Sequence, residues 1–147
     1  MSTQKNTLQQ LRMEYTRQAL ARRDILPDPF AQFEKWLQEA LAAEVPEPNA
    51  MTLCTVDKLG RPSSRIVLLK DFDNDGFLFY TNYHSRKGRQ ISENPQVSLS
   101  FFWHLLERQV RIEGIARTLP AEQSDAYFNS RPRGSRLAAF VSPQSQV

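Results

Sequence analysis

The chain has 147 residues, of which 40% are apolar and 24% charged; nineteen basic side chains against sixteen acidic give a net charge of +3. That size suits one domain rather than two, and the balance of apolar and charged residues excludes a disordered or collagen-like chain. The single cysteine, Cys54, can form no internal disulfide, no apolar run approaches the roughly 20 residues needed to cross a bilayer, and the opening MSTQKNTLQQ is too polar for a signal peptide, so the chain reads as cytoplasmic.

Thr7 and Gln10 have capping-box spacing ahead of Leu8, Leu11 and Tyr15, which predicts an amphipathic helix near residues 7–20, an arm before the core. Asp28-Pro29 is a second helix start, followed by Phe30, Phe33, Leu37 and Leu41 at helical spacing and stopped by Pro46, Pro48 and Asn49. The period then becomes extended. Met51–Val56, Arg65–Lys70 and Phe77–Thr81 read as three consecutive antiparallel strands, separated by turns at Gly60 and at Asp71–Gly76. A short helix is expected from Ser85 to about Glu93. Val97, Leu99, Phe101 and Trp103 then alternate with Ser98, Ser100, Phe102 and His104, and Val110 and Ile112 alternate with Gln109, Arg111 and Glu113. Five strands with helices only at the ends and in one connection predict a mainly β fold with peripheral helices, a small antiparallel barrel. The expected division is a helical arm and helix over 1–49 and a barrel over 50–147, within a single structural domain.

Fourteen of the nineteen basic residues are arginines, whose planar fork suits phosphate or carboxylate. Ser85-Arg86-Lys87-Gly88-Arg89 puts three cations in the first turn of a predicted helix, an end already positive from its own free N–H groups, which is unfavourable unless an anion sits there. Ser130-Arg131-Pro132-Arg133-Gly134-Ser135-Arg136 is a second basic segment, with Tyr127, Arg131 and Ser135 spaced four apart. Arg65 and Lys70 bracket an apolar strand and, five apart, point to opposite faces of it. For each of these the alternative is a solvated basic loop or rim. Gln109 reads as an exposed cross-strand partner and Glu14 as a helix-face charge. His84 and His104 lack partners at triad or zinc spacing and read as structural. Asp71, Asp73 and Asp75 read as a turn rather than a calcium loop, because no acidic residue closes the loop.

Taken in order, Arg65-Ile-Val-Leu-Leu-Lys70, Phe79-Tyr-Thr-Asn82, Ser85-Arg-Lys87, Trp103-His104, Leu106-Glu-Arg-Gln-Val110, Tyr127-Phe128, Ser130-Arg-Pro-Arg133 and Ser142-Pro-Gln-Ser145 closely resemble the pyridoxamine/pyridoxine 5′-phosphate oxidase family. The resemblance runs from about Arg12 to the last residue. It implies an FMN-binding split β-barrel that works as a homodimer with flavin at the subunit interface. Carried over by position, Arg65, Ile66, Val67, Leu68, Leu69, Lys70, Tyr80, Thr81, Arg86, Lys87, Gln109, Gln144 and Ser145 would contact FMN. Lys70, Tyr127, Arg131 and Ser135 would hold the substrate phosphate. Arg12, Met13, Glu14 and Tyr15 match a segment that covers the substrate, with Met13 standing where a second basic residue is expected. The implied reaction is oxidation of pyridoxamine or pyridoxine 5′-phosphate to pyridoxal 5′-phosphate with dioxygen as acceptor and hydrogen peroxide as co-product. The flavin would carry the redox chemistry, and no side chain is assigned as a covalent nucleophile.

Members of the family continue past the Gln-Ser pair into further strands, a flavin-contacting Trp and a late Arg-x-His segment, so the resemblance is to a barrel shortened at its C-terminal end. That leaves a second reading open, a non-catalytic module that holds FMN or pyridoxal phosphate. A nucleic-acid binder, suggested by a pI near 9.2, is disfavoured because the basic residues sit beside Ser and Gly in turns with no aromatic stacking motif.

Overall fold

The computed structural model describes residues 20–120. The helix expected near 7–20, the segment Arg12–Tyr15, and Tyr127, Arg131, Ser135, Gln144 and Ser145 lie outside the described residues.

Helix α1 (Pro29–Ala42) starts as the sequence dictates: the Asp28 carboxylate accepts from the Phe30 and Ala31 amides at 3.1 and 3.2 Å, and Pro29 occupies the first turn, where its missing N–H costs nothing. Five strands follow, β1 (Ala50–Val56), β2 (Pro62–Asp73), β3 (Gly76–Phe79), β4 (Gln96–Trp103) and β5 (Arg108–Ile115), with helix α2 (Arg86–Glu93) between β3 and β4. They form one antiparallel sheet in the order β3-β2-β1-β4-β5, curled into a half-barrel. The three-strand meander is as expected, and β4 returns to pair with β1, which becomes the central strand.

Three details differ from the sequence reading. β2 has twelve residues because it serves two partners: Pro62–Leu68 pair with β1, and Leu69–Asp73 pair with β3. The register shifts between Leu69 and Asp71, leaving Lys70 as the extra residue of a bulge. β3 ends at Phe79, so Tyr80 and Thr81 lie just beyond it, and His104 leaves the alternation for a 3-10 turn (His104–Leu106) closed by Glu107 at φ 54°. The turn expected over Asp71–Gly76 is shorter: Asp71 and Asp73 belong to β2, and the Asp73 carboxylate accepts from the Asp75 and Gly76 amides.

Alternation sorts the sheet into two faces. Met51, Leu53, Val67, Leu69, Leu99, Phe101 and Trp103 point inward, and α1 covers them with Phe33 and Ala40. Phe33 is the hub. Its ring meets Phe72 and Phe77 edge-on at 4.9 Å each and lies 5.1 Å from Phe101 and 6.0 Å from Trp103, joining β2, β3 and β4 to the helix. The buried Trp103 indole N–H donates to the Pro48 carbonyl at 2.9 Å, and Arg108 of β5 pairs with Glu39 while lying over the Trp36 ring. On the outer face, Ile66 and Phe102 are each 65% exposed and Leu68 is 38% exposed.

Phe33→Ala should cost about 3–5 kcal/mol of unfolding free energy, read from urea denaturation. Phe30→Ala, which removes a half-buried ring stacked, among the described residues, on Phe77 alone, should cost clearly less; equal losses would deny Phe33 its central place.

Candidate functional site

β1 and β2 carry polar residues in the same inward phase as the core, at the end of the sheet that α1 does not cover. Thr55 follows Met51 and Leu53, and Ser63 and Arg65 precede Val67 and Leu69. α2 packs over this end and contributes Gln90, which is 5% exposed. Arg65 is thereby held by neutral acceptors. One terminal nitrogen donates to the Thr55 hydroxyl at 2.6 Å and the Leu53 carbonyl at 3.2 Å; the other donates to the Ser63 hydroxyl at 2.7 Å. Among the described residues no carboxylate pairs with Arg65, the ion pairs being Arg23–Asp24, Arg61–Asp57 and Arg108–Glu39.

Two further cations stand close by on the first turn of α2, Arg86 and Lys87. Burial, together with the Arg86 charge, lowers the Arg65 pKa from its usual value, a nearby Cys54 opposing slightly. Burial, together with the Arg65 charge, lowers that of Lys87. Like charges are therefore gathered at a helix end that is itself positive.

The helix end is fixed by two local devices. Ser85, fully buried, caps α2 by accepting from the Gly88 amide at 3.2 Å while its hydroxyl donates to the Asn82 carbonyl at 2.6 Å. Gly88 lets the helix press against the loop after β3: a Cβ at this position would lie 2.4 Å from the Tyr83 carbonyl oxygen and 2.7 Å from that of Asn82. Tyr80 and Thr81 enter this same loop, with the Thr81 hydroxyl 3.4 Å from that of Ser85.

The structure thus brings Arg65, Arg86, Lys87, Tyr80 and Thr81 to one end of the sheet. Ile66, Leu68 and Lys70 lie on the outer face, and Val67 and Leu69 are in the core, so only the backbone of the latter two is available to a ligand outside. Arg65 and Lys70 do face opposite ways. Gln109 is exposed on the outer face of β5 beside Phe102 of β4, with β4 and β1 between it and β2. At about 4.8 Å per strand, three spacings put it roughly 14 Å from β2. Sequence reasoning missed Thr55, Ser63 and Gln90; the available signal was a polar residue in the apolar phase of each strand.

A site of this composition, a guanidinium with no carboxylate partner among the described residues, two more cations and a capped helix end, suits a phosphomonoester. Residues 37–147 match the family model described as pyridoxamine 5′-phosphate oxidase. The chain belongs to the pyridoxamine 5′-phosphate oxidase family. It is 57% identical over 141 residues to the pyridoxine/pyridoxamine 5′-phosphate oxidase of Burkholderia lata and 54% identical to that of a Nostoc species, in each case over 96% of this chain and 66% of the relative. The chain spans 66% of the length of these curated relatives. Among solved structures it resembles PhzG from Burkholderia lata in complex with tetrahydrophenazine-1-carboxylic acid, with TM-score 0.83 and 30% identity over 88% of this chain and 65% of that one. An FMN-binding protein of Nostoc punctiforme related to pyridoxamine 5′-phosphate oxidase shares the fold, with TM-score 0.62 and 20% identity over 76% of this chain and 63% of that one. The family and its split-barrel fold agree with a flavin site. Among the described residues no helix is long and apolar enough to cross a membrane.

Gly88→Ala tests the close approach. In an ordinary helix this change gains up to about 1 kcal/mol, whereas here it should cost about 1–3 kcal/mol and weaken anion binding, because the helix end must move off the loop. Thermal unfolding with and without inorganic phosphate reads both effects.

Proposed function

We propose that the chain binds FMN with the phosphate at Arg65, Arg86 and Lys87, and that it belongs to an enzyme oxidising pyridoxamine or pyridoxine 5′-phosphate to pyridoxal 5′-phosphate. The observation that carries the reading is the gathering of two cations, Arg86 and Lys87, beside the Arg65 guanidinium, which among the described residues is held by neutral groups. A phosphate dianion would relieve their mutual repulsion and accept from the helix end at once. Identity of 54–57% with relatives named for this activity, against 30% with PhzG, favours the phosphorylated B6 compounds as substrate class.

FMN, when bound, would supply the two-electron acceptor for oxidation of the substrate, with dioxygen as the final acceptor and hydrogen peroxide as co-product. The chain's own residues bind and orient. Arg65, Arg86 and Lys87 fix the cofactor phosphate; Tyr80 and Thr81, beside that cluster, border the cofactor; Ile66 and Leu68 offer an apolar outer surface; and Lys70, on its bulge, is directed to the substrate phosphate with Tyr127, Arg131 and Ser135. Gln144 and Ser145 complete the cofactor set, and Arg12, Met13, Glu14 and Tyr15 cover the substrate. A homodimer, with O2 reaching a flavin at the shared face, is supported by two observations. The outer face leaves Ile66 and Phe102 uncovered, and Gln109 lies too far across the sheet to meet Arg65 in one protomer, so a second copy would supply it. Cytoplasmic location goes with this assignment.

The deciding experiment is an absorbance spectrum of the purified chain, then addition of pyridoxamine 5′-phosphate without oxygen. A flavin band that bleaches supports the oxidase; a band that persists favours the non-catalytic module; no flavin uptake refutes the cofactor assignment.

The lowered Lys87 pKa gives a second test. A lysine of depressed pKa loses its charge as pH rises through that value, and phosphate binding then has to recover a proton. FMN affinity should therefore fall at a pH below the ordinary lysine value of about 10.4, and Lys87→Arg should move that fall upward. Titration of flavin fluorescence against pH for both proteins measures it.

A further inference from the structure

We propose that Gln90 is a positioning residue for the anion site, setting the Arg65 guanidinium through two hydroxyls while leaving its charge uncancelled. The inference rests on the phosphate reading above. Its basis is the direction of each hydrogen bond. The two terminal nitrogens of Arg65 donate to the Thr55 and Ser63 hydroxyls, at 2.6 and 2.7 Å. A hydroxyl that accepts from a guanidinium is left with its own proton to donate. Both donate to the same atom: Gln90 Oε1 lies 2.7 Å from Thr55 Oγ1 and 2.7 Å from Ser63 Oγ. One Arg65 nitrogen also reaches Oε1 directly at 3.4 Å. The fork, the two hydroxyls and one amide oxygen form a closed ring whose shortest hydrogen bonds, 2.6–2.7 Å, run from Arg65 to the hydroxyls and from the hydroxyls to Gln90 Oε1.

The chemistry of position 90 follows. The atom it turns to the two hydroxyls has to accept, since each hydroxyl, having accepted from Arg65, has one proton left to place and an amide oxygen takes both. It must also be neutral, because a carboxylate there would form an ion pair with Arg65 across the hydroxyls and remove the positive field that an incoming phosphate needs. The helix that carries Gln90 also carries Arg86 and Lys87 one turn earlier, so the ring ties the Arg65 charge to theirs in one rigid unit.

The test compares binding of FMN and of riboflavin, which lacks the phosphate, to the full 147-residue chain by quenching of flavin fluorescence. The ratio of the two affinities isolates the phosphate contribution. For Gln90→Glu at pH 8 the ratio should fall about tenfold or more, with riboflavin affinity little changed. Lowering the pH should restore the ratio relative to wild type at the same pH, because a protonated glutamate is neutral like glutamine; loss of packing alone would not titrate. If wild type itself does not prefer FMN, the phosphate reading fails. If wild type prefers FMN and Gln90→Glu keeps the full preference, the reading stands and the role of Gln90 is overturned. Should Gln90→Glu lack a cooperative melt, Ser63→Ala removes one arm of the ring from a half-buried position, and an unchanged ratio there overturns the proposal equally.

Discussion

A guanidinium carried inward on a strand has to find acceptors there, because a charge taken even partly out of water without hydrogen bonds costs more than neighbouring apolar contacts return. Arg65 is such a group, and much of the local architecture answers to it. Thr55 and Ser63 occupy positions that alternation would otherwise give to apolar residues, and Gln90 is delivered from α2 to complete the set. Delivering Gln90 requires the helix to lie hard against the sheet and the preceding loop. That closeness leaves no room for a Cβ at position 88 and makes the buried Ser85 cap part of the same arrangement.

The inner face of the half-barrel is therefore divided by chemistry. Toward α1 it is aromatic, centred on Phe33, and the helix is further tied to β5 through the Arg108–Glu39 pair and the Trp36 ring. Toward α2 it is polar and ringed by directed hydrogen bonds. The aromatic end supplies burial, which is tolerant of small displacements, while the polar end supplies geometry, which is not. Substitutions at the aromatic end should act on stability, whereas those at the polar end should act on anion affinity as well.

The helix start at Asp28-Pro29, the strand phases and the turn at Asp73 are local in origin, set by a cap, a period of two and an Asx-type bond, so they were legible from short windows of sequence. The opposed directions of Arg65 and Lys70 followed from parity alone. The bulge at Lys70 was not legible, since it arises where β2 changes partners, and partner choice depends on strand order. Strand order also separates Gln109 from β2, which no local pattern expresses. The basic stretch at Ser85–Arg89 was visible as a cluster, but its meaning depended on Gln90, a residue whose type is unremarkable in a helix and whose partners are 27 and 35 positions away. The polar residues in the apolar phase of β1 and β2 were the trace it left in the sequence.

A carboxylate beside Arg65 would pair with the guanidinium directly and cancel its charge, at the cost of its own desolvation. Neutral acceptors solvate the charge without cancelling it, so the unliganded protein retains a repulsion among these cations that adds to burial in lowering the pKa of Arg65 and Lys87. An anion that relieves this repulsion binds the folded state alone, since the three cations are brought together only by α2 docking on the sheet, and by linkage such a ligand stabilises the fold that holds it. On the proposed reading the same neutrality would let the site discriminate by charge: the directed bonds fix where the positive groups stand, and with no carboxylate paired to Arg65 among the described residues their field is left for the ligand.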